Sequence, residues 1–330
     1  MRRKAIITVI LTAGMAVALA AAPASAVGAG PQAAMTQSRP VEATHVVRSR
    51  IANHFDVLAG QLPENVALAP DGTAYVTFAG ARQVAAVIPG GATRILATLP
   101  APADGGVNTP VLKFALTTGI VRTADGTLYF LYASGDAGST GLYRLRPGGA
   151  PQRIAALPAD GLPNGLALDD RTGTFYVTDS VLGTITTVPL RGGTAAVWSS
   201  APELAATGFL GANGVQVRHG AVWATNLDQG TLLRIPARHG RPGRVEVRAT
   251  GLVGIDDFAF FGDDVLAALN GPNQVARIAP DGTSTTLLAA ADGLQNPTSV
   301  AVRDNTAYVF SAAYTTATDP NLLLAKLSCR

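Results

Sequence analysis

One short plan recurs along this chain and leaves few folds open to it: a polar residue, an alternating apolar run, a tight turn and a second strand-like run. The clearest copy is Glu64-Asn65-Val66-Ala67-Leu68-Ala69-Pro70-Asp71-Gly72-Thr73-Ala74-Tyr75-Val76. Asn164-Gly165-Leu166-Ala167-Leu168 leading to Thr174-Phe175-Tyr176-Val177 repeats it, as does Asn213-Gly214-Val215-Gln216-Val217 leading to Ala221-Val222-Trp223-Ala224. Asp256-Asp257-Phe258-Ala259-Phe260 is a looser relative. Aligned on their first apolar triplets, the copies give six equivalent positions, Glu64, Thr118, Asn164, Asn213, Asp256 and Thr298, separated by 54, 46, 49, 43 and 42 residues. A period of about 40 to 50 residues holding four short strands is the signature of propeller blades. The predicted fold is therefore all-β, a six-bladed β-propeller with four-stranded blades.

In the first blade, strands are predicted at 66–69, 73–78, 83–88 and 93–99, with Pro89-Gly90-Gly91 as a turn. Pro147-Gly148-Gly149, Arg191-Gly192-Gly193, Arg241-Pro242-Gly243 and Pro280-Asp281-Gly282 mark the same turn in later blades. The sixth copy has strands at 299–303, 307–311 and 322–327, one short of a blade. Segment 54–60 matches the fourth-strand segments 152–161 and 284–293, so an N-terminal strand is predicted to complete the last blade and remove two open sheet edges. No long helical periodicity follows the N-terminal apolar run, which argues against an α/β fold.

The chain opens with Met1-Arg2-Arg3-Lys4, an alanine-rich apolar run to Ala22, and Ala24-Ser25-Ala26, the pattern of a signal-peptidase site. The run is just long enough to span a bilayer, but the cleavage pattern follows it directly. The expectation is a signal peptide at 1–26, a flexible leader at 27–44, and a secreted propeller at 45–330 with no membrane association after cleavage. The signal segment carries three cations and no acid, so its removal takes the formal charge of +3 to zero and leaves no electrostatic case for nucleic acid. Cys329 is the only cysteine, so burial and strand pairing hold the fold, with Cys329 read as a small packed residue of the last strand.

In a propeller the connection after each fourth strand delivers the next innermost strand to the mouth of the central channel, so the six equivalent residues converge there. Two carboxylates and two carboxamides among them, Glu64, Asp256, Asn164 and Asn213, are hard oxygen donors. They suit a divalent cation, Ca²⁺ first, then Mg²⁺ or Mn²⁺, with Zn²⁺ last because it more usually takes His or Cys. Asn and Asp before Gly also start turns, although that does not account for Glu64 at the equivalent position.

Over residues 54–330 the chain resembles the senescence marker protein, gluconolactonase and luciferin-regenerating enzyme family of six-bladed propellers. Glu64, the Pro163-Asn164-Gly165 and Ala212-Asn213-Gly214 turns and Asp256 match that family's metal-binding Glu, Asn, Asn and Asp in order and blade placement. The resemblance implies a metal-dependent hydrolase, most often of lactones, in which Asp256 is also the catalytic base. Where the sugar-lactone members carry Arg before and an acid after the first Asn, this chain has Leu162 and Gly165, which tells against a sugar-acid lactone. The related paraoxonases share a top-face calcium site, but their histidine base finds no counterpart, and the same absence weakens a streptogramin-lyase reading. His219 and His239 fall in bottom-face turns, His54 is expected at the bottom of the closing strand, and His45 in the leader.

The second-to-third-strand loops bring Tyr132, Asp179, Asn226, Asp228, Asn270 and Tyr314 to the top rim; Leu162, Asp179, Asn226 and Asn270 are the candidate substrate contacts. Phe78, Leu162, Phe209 and Leu210 suggest apolar walls, and the long connection 101–113 either a lid or a surface excursion. The expectation is a monomeric, exported, cation-dependent hydrolase of a lactone or related cyclic ester, acting on a small, partly apolar molecule. The alternative is a non-enzymatic propeller binding a ligand or protein, with the cation as a structural plug.

Overall fold

A computed structural model describes residues 44–329. The segment expected to be a signal peptide and nearly all of the expected leader lie outside the described residues. The rest folds as six antiparallel sheets arranged as the blades of one propeller, with almost no helix. The innermost strands are Pro63–Leu68, Leu116–Arg122, Pro163–Asp169, Ala212–Arg218, Ile255–Phe261 and Pro297–Arg303. Each is followed outward by its second, third and fourth strands in order. The fourth blade departs from this plan: besides its outermost strand Glu246–Ala249 it carries a two-residue strand, Arg241–Pro242, folded back on the end of Thr231–Arg238. Among the described residues no helix is long and apolar enough to cross a membrane.

Burial explains why these segments are strands. Second strands are covered on both faces and read as continuous β-branched, aromatic and aliphatic runs; Leu128–Ala133 is buried throughout. Fourth strands, at the outer wall, have one weakly covered face and a mixed sequence, as in the largely exposed Thr93–Thr98. The core lies between blades rather than inside any of them. Tyr129 and Leu131 of the second blade pack with Leu166, Phe175 and Val177 of the third, the Tyr129 and Phe175 rings 4.8 Å apart. Truncating a side chain such as Phe175 to Ala leaves an inter-blade cavity and costs roughly 3–5 kcal/mol.

The ring is closed by an N-terminal strand, as predicted, but the strand lies upstream of the expected segment 54–60. Thr44–His54 pairs antiparallel with Asn321–Cys329, from Thr44 opposite Cys329 to His54 opposite Asn321. Thr44 and His45, assigned to the leader, belong to this strand, and segment 55–62 is the connection into the first blade. The strand is fastened on both sides. Thr44 Oγ1 donates to Asp264 Oδ2 of the fifth blade at 2.6 Å, and Arg277 closes on the same buried carboxylate through Nε and Nη2 at 2.6 and 2.9 Å. Asn53 donates to the carbonyls of Ile88 and Gly91 at 3.1 Å each and accepts from Gly90 N–H at 3.0 Å, gripping a turn of the first blade.

Candidate metal and active centre

Every innermost strand carries a break in register near its start. It falls between Pro63 and Val66, Thr117 and Ile120, Pro163 and Leu166, Ala212 and Val215, Ile255 and Phe258, and Pro297 and Ser299. The residues skipped by the ladder include all six equivalent positions, so the converging ring stands on six β-bulges. A bulge frees its extra residue from pairing and re-aims the side chain, which is how a strand presents polar groups to a channel. The Asn-Gly pairs accordingly lie in bulges, not in turns. Glycine serves close approach here: a Cβ on Gly165 would stand 2.3 Å from the Asn213 carbonyl oxygen, and one on Gly214 2.5 Å from Asp257 Oδ1.

Threonine hydroxyls sew the bulges together. Thr77, Thr178 and Thr225 on second strands accept from the N–H groups of Asn65, Gly165 and Gly214 at 3.1, 2.8 and 2.8 Å. Thr178 also donates to the Asn213 carbonyl, and Thr225 to the Asp256 carbonyl at 2.5 Å, each reaching the next blade. Asn164 is oriented by its Nδ2 donating to Ser180 Oγ at 3.1 Å, while that hydroxyl donates to the Ala212 carbonyl at 2.6 Å.

Glu64, Asn164, Asn213 and Asp256 are all buried, at 8%, 6%, 3% and 6% exposure. Neither acid is in an ion pair among the described residues. Burial pushes the Glu64 carboxyl up to about 7, opposed by the hydroxyl of Tyr314, which donates to Oε2, and aided by Asp257. Burial also raises Asp256 well above the usual carboxylate range, with further upward pushes from Glu64 and Asp257; the amides of Asn270 and Asn213 hold it down. Asn270 Nδ2 lies 3.4 Å from Asp256 Oδ2. Asp257, not singled out from the sequence, is a third acid of the channel, raised to about 7 by burial. Its Oδ2 accepts from Asn65 Nδ2 at 2.9 Å, across the channel from the fifth blade to the first, and its Oδ1 has no partner. The signal was available: at the position following the ring residue, blades two, three and four have Gly and the first has Asn65, whereas the fifth has an acid.

Buried acids whose proton affinity is raised by desolvation and by neighbouring carboxyls, with no cationic side chain paired to them, are costly as anions, and a bound cation removes that cost. Among the described residues no group of three His, Cys, Asp or Glu is disposed to hold a metal ion. A cation here would rest on the Glu64 and Asp256 carboxylates completed by the Asn164 and Asn213 amides. That all-oxygen set fits Ca²⁺, Mg²⁺ or Mn²⁺ better than Zn²⁺.

The rim residues divide sharply. Asp179 Oδ1 accepts from the N–H groups of Leu162, Val181 and Leu182 at 2.9, 3.0 and 2.8 Å. Asn226 donates to the carbonyls of Glu203 and Ala205 at 2.9 Å each and accepts from Gln229 N–H at 3.0 Å. Asp228 collects the N–H groups of residues 207–210. These side chains are engaged in bracing the loops. Only Asn270 and Tyr314 reach the acids. Leu162 is fully buried in an apolar cluster beneath the mouth with Ala79, Leu116, Ala133 and Leu210, whereas Phe78 belongs to a different core cluster beside Phe55. The connection 101–113 is pinned: Asp104 accepts from Gly106 and Asn108 N–H at 2.9 and 3.1 Å, and Tyr132 Oη donates to the Pro100 carbonyl at 2.8 Å. His54, expected on the bottom face, stands at the top end of the closing strand, because that strand runs upward to meet Asn321; its Nδ1 is 2.7 Å from Asp319 Oδ1 at the exposed outer wall.

No family model and no curated protein matches this sequence. Its fold, however, is shared with solved structures that include members of the family its motifs resemble. The calcium-binding protein regucalcin from Agrobacterium tumefaciens superposes with a TM-score of 0.61 at 18% identity, over 85% of this chain and 96% of that one. A gluconolactonase from Xanthomonas campestris gives 0.60 at 14%, over 88% and 99%. A streptogramin B lyase gives 0.58 at 15%, over 86% and 98%. At such identities the likeness establishes the six-bladed architecture, which hosts more than one chemistry.

Proposed function

We propose that the top-face centre is the active site of an exported, divalent-cation-dependent hydrolase that opens a lactone or related cyclic ester. The observation that carries the reading is the pair of buried acids without a cationic partner, Glu64 and Asp256, on equivalent bulges in a ring that also carries Asn164 and Asn213. Regucalcin and the gluconolactonase support it as proteins of this fold whose names state calcium binding and lactone chemistry. Ca²⁺ is the proposed native ion, the substrate is a small and partly apolar molecule, and the protein acts as a monomer.

A cation bound there supplies Lewis acidity toward the ester carbonyl. The protein's own groups do the rest. Asn164 and Asn213 hold without adding charge, so the electrophilic character is not cancelled. The carboxyl of Asp256, buried and kept ionised by a cation bound beside it, is placed to take a proton from the attacking water at Oδ2 and return it to the leaving alkoxide. Asn270, 3.4 Å from that oxygen, orients it. Tyr314 fixes Glu64, so the two acids are held in distinct roles, one oriented and one free to exchange a proton.

The test compares two substitutions. Asp256→Asn keeps size and an oxygen donor but removes the base; turnover is expected to fall about a hundredfold to ten-thousandfold and to stay low at saturating Ca²⁺. Asn213→Ala is expected to weaken cation binding and to recover most activity when Ca²⁺ is raised. Calorimetric cation affinity and pH-stat lactone turnover across a metal titration read both. Full rescue of both variants makes Asp256 a ligand only. Tight cation binding by the wild type with no turnover of any lactone makes the centre a structural plug in a ligand-binding propeller.

A further inference from the structure

Most of the polar side chains expected at the mouth of the channel are turned to structural use. Asp179, Asn226 and Asp228, the side chains whose positions most favour contact with a ligand, spend their hydrogen-bonding capacity on backbone N–H and carbonyl groups of their own loops. Beside Asn270 and the exposed Lys113, most of what remains is apolar. Leu62, Leu112, Phe114, Val181 and Leu227, from the connections of four blades, lie partly buried over the cluster formed by Leu116, Leu162 and Leu210. Tyr314 packs against the same cluster and donates to Glu64, so the apolar layer meets the acidic centre at that ring.

The outer surface continues the trend. Among the described residues eleven large hydrophobic side chains are exposed, and six of them, Leu58, Val107, Val111, Leu182, Phe209 and Val253, sit in top-face connections. Val111 holds a left-handed backbone, φ 59°, a conformation unfavourable for a β-branched residue, in the stretch that carries Leu112 and Phe114 inward. Isolated exposed apolar side chains are ordinary, but a majority on the one face that holds the channel mouth gives that face an apolar character suited to an apolar ligand.

We infer that this collar is a subsite for an unbranched aliphatic chain, so that the substrate of the proposed hydrolase is a cyclic ester carrying an alkyl or acyl tail rather than a polyhydroxylated one. The inference rests on the hydrolase reading for the ester and on the collar alone for the tail. A hydroxyl-rich ring would leave its donors and acceptors facing Leu, Val and Phe side chains, losing bonds to water without replacement. An alkyl tail loses only its contact with water, and each methylene it buries tightens binding by up to about fourfold.

The test uses δ-lactones with methyl, propyl, hexyl and nonyl side chains, together with the matching lactams, which bind without ring opening, and glucono-δ-lactone. Calorimetric lactam affinity is expected to rise at least tenfold from methyl to hexyl, with kcat/KM of the lactones rising in parallel through KM. Leu182→Asp with Phe209→Asp, two exposed positions whose change leaves the core intact, is expected to flatten the series. Val197→Asp, on an outermost strand away from the mouth, leaves it as steep as in the wild type. Lactam affinity that climbs with chain length in a protein that opens no lactone sinks the hydrolase and keeps the subsite. Turnover that is level from methyl to nonyl, or highest for glucono-δ-lactone, keeps the hydrolase and overturns the subsite.

Discussion

Two blades of this ring differ from the other four at the same bulge. In the second and sixth blades the position is Thr118 and Thr298, fully buried, whose hydroxyls donate to the carbonyls of Pro163 and Pro63 in the next blade at 2.9 Å each. In the first, third, fourth and fifth it is Glu, Asn, Asn and Asp. The short hydroxyl is used up in sewing one blade to the next. In the third and fourth blades that work passes to Thr178 and Thr225 on the second strands, which leaves the bulge residue available as an oxygen donor. The backbone device is thus constant around the ring, and the chemistry comes from which side chain is relieved of structural duty.

The sixth blade is also the one built from both ends of the chain, and breaking it there has the largest expected effect. A chain beginning at residue 44 is expected to melt as the longer protein does. A chain beginning at residue 55 loses Thr44–His54, exposes the edge of Asn321–Cys329, and orphans the buried Asp264–Arg277 pair's hydrogen bond from Thr44 and the turn gripped by Asn53. It is expected to lose cooperative unfolding or to aggregate, read by near-ultraviolet circular dichroism and scattering. A native-like melt of the shorter chain would remove the closing role of this strand.

The misplaced closing strand shows which parts of such a fold a sequence reveals. Blade number, the six equivalent positions and the strands of the first blade follow from apolar period and turn residues, because innermost and second strands are buried enough to force a pattern. Thr44–His54 is an outer-wall strand with only Thr44 and Asn53 buried, so its apolar signal is weak, and the better-patterned segment after it drew the match. The bulges are invisible for a different reason. A bulge costs one residue of register, and nothing in Asn-Gly separates that from a turn. Asp179 and Asn226 looked like ligand contacts because rim position is legible, whereas the capture of their side chains by backbone N–H and carbonyl groups is set by loop geometry alone. The apolar mouth was legible in Leu162, Leu210 and Phe209, but its continuity with Glu64 through Tyr314 was not.

On the donor side of the comparison, the next largest effect is a pH dependence of opposite sign to the usual carboxylate behaviour. Glu64 and Asp257 are raised from 4.5 and 3.8 to about 7 in the folded protein. Between the unfolded and folded values the native state binds more protons than the unfolded state, so stability falls as pH rises through this window. The metal-free protein is therefore expected to be most stable near pH 5 and to lose stability toward pH 8, by roughly 3 kcal/mol for a group shifted as far as Glu64. Millimolar Ca²⁺ is expected to restore the melting temperature at pH 8 and to change it little at pH 5, where protons compete for the same oxygens. Melting curves with chelator and with Ca²⁺ at the two pH values give the answer, and a metal-free protein more stable at pH 8 than at pH 5 would contradict the burial of unpaired acids.

The smallest effect is expected on the threonine side, and it decides whether the two kinds of blade are separable. Thr118→Val and Thr298→Val keep shape and buried volume but leave the Pro163 and Pro63 carbonyls without that donor, at a cost of about 1–2 kcal/mol each. If these hydroxyls only sew blades, denaturant midpoints fall while calorimetric Ca²⁺ affinity stays within about twofold, because the donors at Glu64, Asn164, Asn213 and Asp256 are held by bonds of their own. The carbonyls that lose a bond belong to the residues immediately before Asn164 and Glu64, so a coupled result is physically available: slackening either bulge would let a donor drift and weaken the ion. A cation affinity lowered tenfold with little change in stability would show that the threonines position the site rather than the ring, and the division between sewing blades and donor blades would have to be given up.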